Sequence, residues 1–413
     1  MNNVAQFSMT QLSSAAFWLS IFYICFVFSL NSSLDPLTYS SLLLGASTVV
    51  ILSKIGNKPL ELFPKEFLFF GVLVLAYAVY SVVRPPLAGF LVDTSYILPQ
   101  MAGATIFLVT YPAFVNCAQH ILHPSPSKLA FAIVAVVALA AQQIFRPADN
   151  AILGFQLYGV LSPVTLFQFC YYAIVLSLFR TRLVRVFALV VLLPLMGASS
   201  NLFIQFGFIT IAIIGANRGL IYVMLAALVA FFLSVAVETS LTNIVTSNDA
   251  NANVRAGMWS AALSNVANHP LGIGYGTSYA DTQAMADSRL MWVYSFNPLR
   301  SFEVANHNSF IDLALRLGPI GLLALCAIFY RSWRRIRRVQ SILLGSGAIY
   351  VVILICSLNP VFESARAVMF ASFAAGLLRA LALSDEEQVV DPEIAKPATL
   401  TPKERRAKLL AQA

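Results

Sequence analysis

Two residues able to do chemistry bracket one polar stretch of an otherwise apolar chain: Arg255 near its start and His307 at its end. His307 stands between Asn306 and Asn308, immediately before an apolar span. Histidine is the side chain that titrates near neutral pH. At a helix entrance, flanked by two amides, it can hold a defined tautomer and serve as a general base. The plainer role is a helix-capping residue. Arg255 falls in the first turn of a stretch, 253–268, that carries Val254, Met258, Ala262 and Val266 at helical spacing, widened by Trp259 and Leu263. This predicts an amphipathic helix able to lie on a membrane face, capped by Asn251 or Asn253. Arg255 can there aim its planar fork at a phosphate, or snorkel as a surface arginine does.

After that helix comes Asn268-His269-Pro270-Leu271-Gly272-Ile273-Gly274-Tyr275-Gly276. Pro270 stops the helix, and His269 reads as a helix-end residue. The three glycines permit close turns. They serve a phosphate turn or a turn packed tightly on the helices; the strand-to-helix setting of a nucleotide fingerprint is missing. Gly274 and Tyr275 are counted as substrate-contact candidates with Asn306 and Asn308. Arg289, Arg300 and Arg316 join them as cations for an anionic ligand. Arg316 lies nine residues past His307, about 13 Å along a helix. It needs a cavity or an anionic partner there, with Asp312, Glu363 or a lipid diphosphate in view. Tyr279, Trp292, Tyr294, Phe296 and Phe302 can stack on sugars or anchor at an interface. No Asp-x-Asp metal motif is found on this side, and no metal or cofactor is expected.

The elements that position these residues are membrane spans. The 413-residue chain is 59% hydrophobic and 11% charged, against about 25% charged in soluble domains. The expectation is an all-α polytopic membrane protein of about twelve transmembrane helices. They fall near 14–31, 36–54, 66–83, 95–117, 128–145, 162–179, 183–198, 200–216, 219–237, 309–330, 341–358 and 364–383. The domain plan is helices 1–9 over 1–237, a large outer loop with the catalytic elements over 238–308, helices 10–12 over 309–383, and a tail over 384–413. The tail is polar, ends in a basic segment, and is expected to be mobile or to lie on the inner leaflet. The five cysteines sit in or beside apolar runs without Cys-x-x-Cys spacing, so neither a disulfide framework nor a zinc site is indicated.

Orientation follows from Lys and Arg. With the N-terminus in the cytoplasm, the inner loops hold Lys54, Lys58, Lys65, Lys128, Arg180, Arg182, Arg185, Arg218 and the run Arg331, Arg334, Arg335, Arg337 and Arg338. The outer side keeps Arg84, Arg146, Arg255, Arg289, Arg300, Arg316 and Arg366. The net charge of +8 is therefore topology and contact with anionic lipid; no nucleic-acid role is expected. The polar loop is placed outside, and its arginines are left for an anionic ligand.

The string from Arg255 through NHPLGIGYG to ANHNSFIDLALRLGPIGLL resembles the O-antigen ligase and polymerase superfamily, including exopolysaccharide polymerases. The resemblance spans roughly residues 190–325. It implies a C-type (GT-C-like) helical glycosyltransferase in the bacterial inner membrane, with one large periplasmic loop. It implies transfer of a glycan from an undecaprenyl-pyrophosphate carrier to an acceptor sugar hydroxyl, without metal or nucleotide sugar. Arg255 would grip the pyrophosphate and His307 would activate or orient the acceptor glycan. The family's usual Ser-Arg pair meets Ala198-Ser199-Ser200-Asn201 here, with Asn201 at the arginine position. Another outer arginine would then take that part: Arg84, Arg146, Arg289, Arg300, Arg316 or Arg366. One base and no obvious nucleophile fit direct, inverting attack.

Three functions remain in view. A polymerase lengthening a lipid-linked exopolysaccharide is favoured, with a chain-length regulator as a further partner beside membrane lipids. A ligase moving finished polymer onto lipid A core shares the chemistry. A flippase or transporter would call for charges within spans and inverted repeats, and neither is evident.

Overall fold

The computed structural model describes Ser47 and residues 63–122, 151–152, 155–156, 163–191, 199–237, 250–286, 290, 299–358, 361–363 and 367–390. Most of these residues are helical. The long helices are α1 (Lys65–Val83), α2 (Ile97–Leu122), α3 (Pro163–Leu178), α4 (Arg182–Val190), α5 (Ser199–Ile214), α6 (Arg218–Val237), α7 (Ala250–Asn268), α8 (Ser309–Arg335), α9 (Val339–Leu358) and α10 (Ala367–Val390). A two-stranded antiparallel ladder joins Ala151–Ile152 to Phe155–Gln156. Helices occur at the spans expected from 66–83, 95–117, 162–179, 200–216, 219–237, 309–330, 341–358 and 364–383. The spans expected at 14–31 and 128–145 lie outside the described residues, as does all of 36–54 but Ser47. Of 183–198 the structure describes a helix ending at Val190.

Among the described residues, four segments are long and apolar enough to cross a membrane: Lys65–Val83, Thr94–Asn116, Ser309–Arg335 and Val339–Ser357. Helix α1 shows why this is a membrane protein. Leu68, Val72, Leu75, Val79 and Val82 stand exposed along one face, while Phe67, Phe70, Val74 and Ser81 are buried on the other. An exposed stripe of that kind, at three- and four-residue spacing, suits lipid. The buried faces meet in one large apolar core, with α2 against α10 and α8 against both α1 and α10.

A second, smaller apolar cluster lies under the polar loop. It joins Val254, Met258, Trp259 and Ala262 of α7 to Ile311 and Leu315 of α8. The predicted amphipathic stripe is therefore real, but it packs on α8. Each large side chain removed from water there contributes about 1.5–3 kcal/mol, and a neighbouring helix removes it more completely than a membrane surface would. The helix as described includes Ala250, so Asn251 and Asn253 lie within it.

The two ends of the bundle differ chemically. At one end, Arg331 pairs with Glu66 and Arg335 with Glu386 at 3.2 Å. Asp385 accepts the amides of Arg337 and Arg338 at 2.7 and 2.9 Å and pairs with the Arg338 side chain. Asp385 is only 3% exposed. The tail expected from 384 thus begins as structure: α10 runs on to Val390 and its carboxylate holds the turn into α9. Residues 391–413 lie outside the described residues. At the other end, the length of α1 away, or about 28 Å at 1.5 Å per residue, the segments 84–96, 269–286 and 299–308 form a polar cap. The basic cluster and the polar loop are on opposite ends, as the Lys/Arg asymmetry requires.

Candidate active site

The cap is built around a break in α8. Gly318 has a left-handed φ of 67°, and Pro319 follows it. Pro319 has no N–H for the Leu315 carbonyl, and the break at Gly318 frees the Arg316 carbonyl as well. Both are taken up by the glycine turn: Ile273 N donates to Leu315 O at 2.7 Å and Gly274 N to Arg316 O at 3.0 Å. NHPLGIGYG and RLGPIG, distant in sequence, are two halves of one joint.

The joint leaves no room for side chains on the turn. A Cβ on Gly272 (φ +81°) would lie 2.4 Å from Gly318 N and 2.6 Å from Arg316 O. One on Gly274 (φ +71°) would lie 2.7 Å from Ser81 Oγ. The turn's amides are spent. Gly272 N donates to His269 O at 2.8 Å, Tyr275 N to Ser81 Oγ at 2.7 Å and Gly276 N to Gln100 Oε1 at 2.8 Å. A phosphate cradle needs free N–H groups, and here each amide from 272 to 276 already has a partner. Gly274 and the buried Tyr275, expected to contact substrate, are part of this frame. Gln100 completes it, donating from Nε2 to Thr277 O at 3.0 Å and Phe302 O at 3.1 Å. Ser81 and Gln100 are functional neighbours that the sequence reading missed: a serine and a glutamine inside apolar spans, the kind of polar group that must find partners there.

His307 sits where this frame meets α8. Its φ is +55°, alone among the described non-glycine residues in the left-handed region. Such a conformation costs about 1–3 kcal/mol and persists only where surroundings impose it. The surroundings are clear. Asn306 donates from Nδ2 to Asp312 Oδ1 at 2.7 Å and from its backbone N–H at 3.2 Å. Trp259 Nε1 donates to Asn306 O at 2.5 Å. Asn308 Oδ1 accepts the amides of Phe310 and Ile311 at 3.1 and 3.2 Å, capping α8. Ser309 Oγ accepts Val361 N at 2.5 Å. The flanking asparagines, expected to fix the imidazole or meet substrate, fix the chain that presents it. Asp312, weighed as a partner for Arg316, is occupied by Asn306.

Arg255 and His307, 52 positions apart in sequence, are brought together. The His307 imidazole is pushed below its ordinary value, by burial first and by the Arg255 charge second. It is therefore neutral at neutral pH and free to accept a proton.

The other predicted cations are spread out. Arg316 is 1% exposed. Its Nη1 donates to Gly274 O at 3.2 Å and Thr277 O at 2.7 Å, and its Cζ lies 3.9 Å from the Tyr279 ring centre. It is held by the cap and by an aromatic face. Arg300 is exposed in a one-turn helix, Arg300–Glu303, on the rim. Arg289 lies outside the described residues, as do Arg146, Arg366, Trp292, Tyr294 and Phe296. Asn201 lies in the first turn of α5. His269 follows the end of α7, its ring 5.6 Å from that of Phe90, in the helix-end place expected.

Residues 183–326 match the family described as O-antigen ligase. The matched stretch contains Arg255, the glycine turn, His307 and Arg316. Over that stretch the chain is similar to the O-antigen ligase family, in line with the resemblance read from its sequence. Among curated proteins none matches the chain.

Proposed function

We propose, from the match of residues 183–326 to the O-antigen ligase family, that this chain is an inverting, metal-independent polysaccharide polymerase. It transfers glycan from an undecaprenyl-pyrophosphate carrier to an acceptor sugar hydroxyl at the periplasmic face of a bacterial inner membrane. The observation that carries the reading is the Arg255–His307 pair, held in a strained and locked frame at the polar end of the bundle. The fold assigned with it is a C-type glycosyltransferase of about twelve spans.

The chemistry needs few parts. Neutral His307 takes the proton of the acceptor hydroxyl. The oxygen attacks the anomeric carbon from the face opposite the carrier, and the C–O bond to the diphosphate breaks with both electrons going to the leaving group. Configuration inverts. Arg255 meets the diphosphate charge, the stabilisation that matters most at such a centre. A diphosphate on Arg255 also offsets the charge that depresses His307, so donor binding makes the base stronger.

The description of the matched family as O-antigen ligase favours a second reading, transfer of finished polymer to lipid A core. One experiment separates the two. Purified protein is given undecaprenyl-pyrophosphate repeat units alone, then with lipid A core. A ladder of lengthening products without core supports the polymerase. Transfer only when core is present makes it a ligase, and no transfer in either case overturns both.

A further inference from the structure

Arg84 and Arg316 converge on one residue from opposite sides. Arg84, at the C-terminal end of α1, donates from Nη2 to the Thr277 hydroxyl. Arg316, on α8, donates from Nη1 to the Thr277 carbonyl at 2.7 Å. Aromatic faces border both: Tyr80 lies 5.7 Å from the Arg84 Cζ and Tyr279 lies 3.9 Å from that of Arg316. Two guanidinium groups thus stand close together in a largely buried setting. Among the described residues, neither forms an ion pair with a carboxylate. Also among these residues, Nε and Nη1 of Arg84 and Nε and Nη2 of Arg316 are buried without a hydrogen bond. Four unused donors on two like charges are an expensive arrangement for a resting core. Guanidinium is also the group that survives such a setting charged. The Arg84 guanidinium is lowered from its ordinary value by burial first, and the neighbouring Arg316 charge adds to this.

We infer that Arg84 and Arg316, seated on Thr277, form a second anion subsite that takes a phosphate or diphosphate group. It is separate from the Arg255–His307 centre. Arg316 follows His307 by nine positions, about 13 Å along α8. Arg84 lies outside the stretch matched by the family, so the match assigns it nothing. The free Nε–Nη2 edge of Arg316 suits the paired oxygens of a phosphate, and Arg84 adds single donors from Nε and Nη1. Arg84 is half-buried and forms the open side, and Arg316, 1% exposed, forms the floor. The frame that holds the floor is the glycine joint, whose amides are spent, so the arginines and not the backbone supply the donors.

The identity of the natural ligand rests on the proposed function. Growth of a carrier-linked polymer brings two diphosphates to the protein, one on the donor and one on the acceptor, separated by the sugars of the growing end. A second phosphate subsite one short oligosaccharide from the reacting centre would anchor the acceptor's carrier. A bilayer phospholipid headgroup offers the same chemistry, and the test includes it.

The test is binding of inorganic pyrophosphate to the full-length protein in nanodiscs of zwitterionic lipid, followed by calorimetry. Wild type, Arg84→Gln, Arg255→Gln and the double variant are compared. Arg84→Gln is chosen because it spares the buried floor, whose loss endangers folding; a melting curve checks each variant. The expected result is two binding events in wild type, one lost at least about tenfold in Arg84→Gln and the other in Arg255→Gln. Pyrophosphate binding by Arg84→Gln equal to wild type overturns the subsite. In nanodiscs containing phosphatidylglycerol, loss of the Arg84-dependent event alone identifies a lipid headgroup as the occupant; its persistence identifies the carrier diphosphate. Turnover by wild type with purified carrier-linked substrate is scored separately, so failure of the subsite and failure of the proposed function are told apart.

Discussion

The carbonyl oxygen of Leu315 accepts the amide of Ile273 at 2.7 Å, across 42 positions of sequence. It can do so because Pro319 offers it no helical donor. This bond and its neighbour from Gly274 to Arg316 tie the polar loop to the helix that carries His307.

That tie depends on the absence of a side chain at 272. Gly272→Ala places a Cβ within 2.6 Å of backbone atoms on α8, at a φ of +81°. The expected cost is about 2 kcal/mol or more, seen as a lower melting temperature in detergent together with lost transfer. Gly89→Ala, at φ +83° but with nothing within 4 Å of its Cβ, should cost only the backbone strain, about 1 kcal/mol. Equal melting of the two variants would contradict the joint.

Gln100 supports the same loop from α2. Gln100→Leu is close in volume but strands Gly276 N and Phe302 O, while Thr277 O keeps its bond from Arg316. Each buried group left unpaired costs about 1–3 kcal/mol. Hydrogen exchange at Gly276 should rise sharply in this variant, and transfer should fall with it. Unchanged protection at Gly276 would show that the glutamine is incidental.

Much of the arrangement was legible in the sequence, and the gaps have physical reasons. Periodicity located the spans and the helix bearing Arg255, because burial of an apolar face imposes its spacing on a helix. It could not say what covers that face, since a membrane and a neighbouring helix select the same residues. So the stripe from Val254 to Ala262 was expected on lipid and packs on α8. Glycines in the 272–276 turn were equally compatible with ligand and with close packing. Only the partner of each amide decides, and those partners lie on α1, α2 and α8. Arg316 was expected to seek a carboxylate or a lipid phosphate; it meets the carbonyls of Gly274 and Thr277 in the glycine turn. Asn306 and Asn308 were recognised as companions of His307, but their roles depend on Asp312 and the first turn of α8. Ser81 and Gln100 gave no signal beyond being polar inside apolar runs.

Arg255 should be indispensable without being structural. Arg255→Ala should lower transfer by about 10²–10³-fold, the cost of removing one aimed cation from a developing charge. Arg255→Lys should recover only part, since Lys cannot bind a phosphate bidentately. Expression and melting should stay near wild type. Full activity in a well-expressed Arg255→Ala strain would reduce this residue to a snorkelling arginine.

The same arginine sets the pH response. His307 lies below its ordinary 6.5 through burial and the Arg255 charge. The active form is the neutral one, so kcat/KM should rise with pH, reach half its plateau below 6.5, and stay flat above neutrality. In Arg255→Gln the Coulomb cause is gone while burial remains, so the His307 pKa should move up yet stay below 6.5. Ring chemical shifts of isotope-labelled histidine in the full chain read this directly. An unmoved or lowered pKa in Arg255→Gln would separate the two residues.

The most direct test of the central claim is turnover by His307→Asn. Asparagine tolerates the left-handed backbone that this position imposes, so the frame survives while the base is removed. The variant protein and wild type are given purified undecaprenyl-pyrophosphate glycan and acceptor, in the presence of a chelator. The account predicts that wild type turns over undiminished by the chelator. His307→Asn should bind the donor as wild type does but transfer it about 10²–10⁴-fold more slowly. Near-wild-type turnover by His307→Asn, or loss of wild-type turnover on chelation, would contradict it.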